Sequence, residues 1–107
     1  MHFETYQRQA LTTAKMDKTK KWYFALGLAG ETGEVVEKIK KFYRDDKEEI
    51  TKERLEDIKQ ELGDTLWYLS TLAAAFDLKL EDIAAANLQK LALRELTNKI
   101  HGDGDNR

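Results

Sequence analysis

Proline is absent from all 107 residues, so no ring forces a break in the backbone. The chain is rich in Ala, Leu, Glu, Lys, Gln and Arg, all good helix formers. No stretch alternates apolar and polar residues for long, and no Asn-Gly or Asp-Gly pair stands between apolar runs as a hairpin turn would. The expected class is therefore all-α, a four-helix bundle-like single domain over residues 1–107. The spacing predicts a first helix over about Phe3–Ala14 and a second over about Trp22–Arg44, ending where Arg44-Asp45-Asp46-Lys47 breaks the apolar period. Thr51 is placed to cap a third, running through Leu55, Ile58, Leu62, Leu66, Leu69 and Leu72 to about Phe76. A fourth runs from near Leu80 through Ile83, Leu88, Leu91 and Leu96 toward Lys99. Residues 101–107 carry no core-forming side chain and read as a flexible tail. The mixed charges of Asp45–Lys59 read as solvated surface, with ion pairs of little individual worth.

Composition removes several classes of function. Net charge is −2, without the basic excess of a nucleic-acid binder. With no Cys there is no disulfide scaffold, thiolate zinc site or cysteine nucleophile. No apolar run approaches the roughly 20 residues that span a bilayer, and Met1-His2-Phe3-Glu4 does not open a signal peptide, so a soluble cytoplasmic protein without membrane or nucleic-acid partners is expected. His2 and His101 are the only histidines, which defeats a di-iron bundle built on Glu-x-x-His.

The informative feature is where the acids fall. At 100° per residue, Phe24, Leu28, Val35, Ile39 and Phe42 share one side of the second helix. Glu31 projects from the middle of that side and Glu34 from its edge. In the third helix Ile58, Thr65, Leu69, Leu72 and Phe76 form the inward side, with Glu61 beside them and Asp64 one step on. Acid pairs three apart are usually solvated in so charged a chain. Their placement within apolar stripes, twice over, argues otherwise. Carboxylates stripped of water cost several kcal/mol each unless a cation compensates. Oxygen ligands without His or Cys favour Mg²⁺ or Mn²⁺ over zinc, and Mg²⁺ commonly bridges to phosphates.

Gly27, Gly30, Gly33 and Gly63 lie inside the helices beside these acids, each at about 1 kcal/mol relative to Ala. They predict close approach by an ion, a ligand or a neighbouring helix, with plain packing nearly as good an account of Gly27 and Gly33. Lys38, Lys90 and Arg94 are candidates for holding phosphate oxygens. For Lys90 and Arg94 the commoner fate is to reach into solvent. Asn87, among apolar neighbours, is expected to be a buried amide in need of partners. Trp22, Tyr23, Trp67 and Tyr68 are able to stack on a base but more often serve as core or subunit-interface residues.

Gly30-Glu31-Thr32-Gly33-Glu34, followed after a gap of 26 residues from Glu34 by Glu61-Leu62-Gly63-Asp64, resembles the E-x-x-E and E-x-x-D signature of the MazG-like nucleoside triphosphate pyrophosphohydrolases. Asn87-Leu88-Gln89-Lys90-Leu91 is similar to the family's N-x-x-K segment, and Gly104-Asp105-Asn106-Arg107 to the tail of short stand-alone members. The resemblance implies an all-α fold and cleavage of an NTP or dNTP to the monophosphate and pyrophosphate. It implies Mg²⁺, or Mn²⁺, held by Glu31, Glu34, Glu61 and Asp64, and assembly as a homodimer or homotetramer. By analogy it leans to purine dNTPs such as dGTP and to a role in cleaning the nucleotide pool. Within it Glu31 or Glu34 would take the proton of the attacking water, with Lys38 acting beside them. Lys38, Asn87, Lys90 and Arg94 would hold the substrate, Trp67 would offer a stacking face, and Asn106 and Arg107 would close over the nucleotide unless the terminus is simply frayed. Lys79 departs from the pattern, standing where a capping Asp or Ser is expected before the fourth helix. The competing reading is a non-catalytic module: a helical interaction module, for which Mg²⁺ and nucleotide would not raise the melting temperature as they would for the enzyme, or a nucleotide-binding one, which would bind without releasing pyrophosphate.

Overall fold

A computed structural model describes residues 1–15, 17–45, 49–97 and 105. Among them the chain forms α1 (Phe3–Ala14), α2 (Lys21–Asp45), α3 (Lys52–Ala75) and α4 (Leu80–Leu96), with a short 3₁₀ turn at Lys18–Lys20 before α2. No described residue is in a strand, so the all-α expectation holds. No helix is long and apolar enough to cross a membrane, among the described residues.

Local chemistry sets the helix ends. The Thr51 hydroxyl accepts from the Arg54 amide at 3.2 Å and caps α3, as the sequence predicts. Asp17 caps the 3₁₀ turn, accepting from the Thr19 amide at 3.0 Å. The α3–α4 turn passes through Asp77 in the left-handed region at φ 59°, a conformation Asp tolerates better than most residues. Lys79 gives α4 no side-chain cap. The orphan Leu80 amide donates instead to Gln7 Oε1 at 3.0 Å, while Gln7 Nε2 donates to the carbonyls of Ser70 and Leu78 at 3.2 and 3.0 Å. One buried glutamine of α1 thus ties the end of α3, the turn and the start of α4 together. The fourth helix ends at Leu96 rather than continuing toward Lys99, which lies outside the described residues.

α2 and α3 pack along each other, and α1 packs on α3 and α4. Gly27 of α2 faces Tyr68 of α3 while Glu31 faces Glu61, so the pair runs antiparallel. The inward line of α2 is Phe24, Leu28, Glu31, Val35, Lys38 and Phe42, each buried or half-buried at steps of four and three. Ile39, expected inward, is exposed because Lys38 takes its phase. In α3 the buried positions are Ser70, Thr71, Ala73 and Ala75, where α1 and α4 also press on the helix; Leu69 and Phe76 face out.

The core is small. Its fully buried apolar residues are Ala10, Phe24, Ala73, Ala75 and Leu80, mostly small ones. The radius of gyration is 16.7 Å, well above the ~13 Å of a compact domain of this length.

Candidate metal centre

The antiparallel pairing brings three carboxylates together. Glu31 from α2 and Glu61 and Asp64 from α3 each offer an oxygen, and these oxygens lie within 4.8 Å of one another. The helical step of three places Asp64 nearly a turn beyond Glu61 on the same face. Glu31 and Glu61 are half-buried and Asp64 is exposed. Glu31 binds its proton more tightly than an ordinary Glu. Loss of hydration is the largest cause, followed by the charge of Asp64, a hydrogen bond with Glu61, and the charges of Glu61 and Glu34. An all-oxygen donor set of this kind would suit a hard divalent ion.

Beside the acids lies an open cavity of about 370 Å³ walled by Glu31, Asp64, Trp67 and Tyr68. Its aromatic side is held firmly. Trp67 Nε1 donates to the Thr13 hydroxyl at 3.1 Å, and that hydroxyl donates to the Ala10 carbonyl at 3.0 Å. Trp67 and Tyr68 meet edge to face with centroids 5.0 Å apart. The Tyr68 ring lies where a side chain on Gly27 would stand, so only glycine admits it. Burial, a hydrogen bond with Tyr23 and the charges of Tyr23, Glu31 and Asp64 all keep the Tyr68 phenol protonated. A larger cavity of about 420 Å³ between α1 and the α3–α4 turn is lined by Gln7, Leu11, Ala74 and Leu78 among others. No carboxylate cluster of the metal-holding kind forms there among the described residues.

The other expected site residues are placed differently from one another. Glu34 is exposed, about one turn along α2 from Glu31, where its charge is felt; its carboxylate is not among the three that converge. Gly30, Gly33 and Gly63 have nothing within 4 Å of a built Cβ, so within one chain no ion-bearing side chain, ring or helix approaches them. Only Gly27 shows close approach, and by packing. Asn87 is exposed rather than buried, because nothing in the described chain covers that stretch of α4. Lys38 is half-buried on the same face of α2 as Glu31, two turns or ~10 Å further along. Lys90 and Arg94 do not line the acid-walled cavity. Arg94 is buried, not in solvent, and both side chains meet Asp105. Asn106 and Arg107 lie outside the described residues. The role of Thr13 went unread in the sequence, and for Tyr68, read there as a stacking or core ring, only the glycine at 27 hinted that it presses on α2.

Comparison with known proteins places the chain in a family. Residues 19–96 match the family model described as the MazG nucleotide pyrophosphohydrolase domain. The chain is 40% identical, over the whole of both chains, to the Gene 37 protein of Mycobacterium phage L5, whose name says nothing of its activity. No solved structure matches.

Proposed function

Since the chain belongs to the MazG nucleotide pyrophosphohydrolase family, we propose that it hydrolyses nucleoside triphosphates to the monophosphate and pyrophosphate with a divalent ion, Mg²⁺ or Mn²⁺, at the three-acid cluster. The observation that carries this reading is the convergence of Glu31, Glu61 and Asp64 within 4.8 Å at the wall of an open, aromatic-sided cavity.

Glu31, Glu61 and Asp64 would hold the ion. When bound, it neutralises triphosphate charge and lowers the pKa of water. Water attacks the α-phosphorus, the bond to the bridging oxygen breaks, and pyrophosphate leaves. Glu34, one turn along α2 from Glu31, would join the three acids as a ligand, and Glu31 or Glu34 would take the proton of that water. Lys38, on the same face of α2, Lys90 and Arg94 are assigned to phosphate oxygens, where they offset charge developing in the transition state. Trp67, clamped by Thr13, gives the base a rigid flat face. Asn87, exposed on α4, and the tail residues Asn106 and Arg107 complete the assigned substrate contacts. The preferred substrates in this reading are purine dNTPs such as dGTP, which fits a role in nucleotide-pool cleaning.

The acting unit is a homodimer or homotetramer. α2 carries a second, outward line of Trp22, Leu26, Ala29, Gly33 and Val36, at steps of four and three, with Tyr43 seven residues further on, all exposed. On α3 Leu55, Leu62, Leu69 and Phe76 recur every seven residues, also exposed. Heptad lines of this kind are seams awaiting another helix. A second copy supplies one, and it also accounts for the open space at Gly33.

The test is a screen of the ribo- and deoxynucleoside triphosphates with Mg²⁺ for pyrophosphate release. Release is expected with at least one purine dNTP, and Glu61→Gln should abolish it while leaving the circular dichroism spectrum unchanged. No release from any of them, with no rise in melting temperature on adding Mg²⁺ and nucleotide, would leave a non-catalytic helical module as the answer.

A further inference from the structure

Asp105 is seated on two cations of α4. Its Oδ1 accepts from Lys90 Nζ at 3.0 Å and from Arg94 Nη2 at 3.1 Å, and its backbone carbonyl accepts from Arg94 Nη2 at 3.0 Å. The Arg94 side chain is 6% exposed and that of Lys90 38%, whereas Asp105 remains 79% exposed. The cations are thus built into the helix, and the carboxylate lies on them from outside. A guanidinium fork beside an ammonium matches phosphate oxygens as well as it matches a carboxylate.

We propose that Asp105 is an internal occupant of an oxyanion site made by Lys90 and Arg94, displaced when a phosphate group of a nucleotide or of pyrophosphate enters. The inference rests on the reading of those two cations as phosphate holders and adds the regulation of that site. A carboxylate tethered in the same chain competes at an effective concentration of order millimolar, so it excludes weak or dilute anions. Pyrophosphate, carrying more charge than the single charge of a carboxylate, prevails once it is abundant. Hydrogen bonds from Lys90 first and Arg94 second hold Asp105 below the usual carboxylate range, which keeps the occupant ionised at neutral pH.

The test is calorimetric titration of the full-length, metal-free protein with inorganic pyrophosphate at low salt. Asp105→Asn removes the charge and keeps the shape, and it should bind pyrophosphate about tenfold more tightly than the unaltered chain. Adding Lys90→Gln should erase that gain; this residue is preferred to Arg94, whose burial makes its replacement a risk to folding. Unchanged or weaker binding by Asp105→Asn would overturn the proposal and make Asp105 an anchor for the tail. A gain that survives Lys90→Gln would overturn it as well. Because the titration involves no turnover, its failure and the failure of the triphosphate screen are separate results.

Discussion

Glu31 stands where three other acids make their charges felt, and its proton affinity is raised accordingly. The sign of the consequence follows from linkage. A carboxyl that holds its proton more tightly when folded favours the folded state below the ordinary Glu range. That advantage is lost as pH rises through the raised value, so at neutral pH its charge opposes folding. Glu31→Gln should therefore raise the melting temperature of the metal-free protein at pH 7–8. The difference should shrink toward pH 4, and the variant should lose the stabilisation Mg²⁺ gives the unaltered chain. Melting curves with and without Mg²⁺ across that range decide it. Gly27 is the opposite kind of residue, defined by what it lacks. Gly27→Ala sets a methyl group into the Tyr68 ring and should cost about 1–3 kcal/mol as overpacking, read from denaturant unfolding. The acids of the cluster were legible in the sequence because a carboxylate inside an apolar stripe breaks a pattern. Glu34, read at the edge of the inward side, is exposed; a step of three falls 60° short of a full circle, so pattern alone does not say how such a carboxylate lies relative to that of Glu31. Asn87 was misjudged: its neighbours Ile83 and Leu91 are apolar, yet apolar neighbours bury a residue only when another element covers them.

At the scale of elements, the weakest boundary in the sequence became the most heavily bonded one in the structure. Lys79 offers α4 no cap, and the missing acceptor comes from Gln7, 73 residues away from Leu80 in the chain. No local rule finds such a partner; helix signals are read within a few residues, and this one crosses from α1 to α4. The four helices themselves were legible because their caps and periods are local: Thr51 before α3 and the apolar steps of α1 and α2 need no tertiary information. Gln7→Leu keeps the volume and removes three hydrogen bonds, leaving the Leu80 amide and the Ser70 and Leu78 carbonyls without that partner. At about 1 kcal/mol each the loss should total about 3 kcal/mol. For a domain of this size each kcal/mol lowers the melting temperature by about 4–8 °C. Hydrogen exchange localises the effect: amides at the start of α4 should lose protection before those in the middle of α2.

The whole molecule is organised around two faces of α2. One line, Phe24 to Phe42, closes on α3, carries Glu31 to the cluster and holds Lys38 two turns beyond it. The other, Trp22 to Tyr43, has no cover from the described chain, and Val36 is 60% and Leu26 65% exposed. Both lines advance by four and three as far as Val36, so a sequence scan that credits the first to the core has no reason to leave the second to solvent. Scattered exposed apolar residues are ordinary, whereas a continuous line of them marks an interface. Leu26→Glu and Val36→Glu, singly, place a charge in that line without touching the acid cluster. Each should weaken association by more than about 2 kcal/mol, as central apolar residues of an interface do. In size-exclusion chromatography with light scattering the unaltered chain should run as a dimer or tetramer at micromolar concentration and the variants as monomers. Pyrophosphate release should fall with the association, and recover in part at higher protein concentration. Monomeric behaviour of the unaltered chain at full activity would remove the second copy from the account and leave the outward line of α2 without a partner.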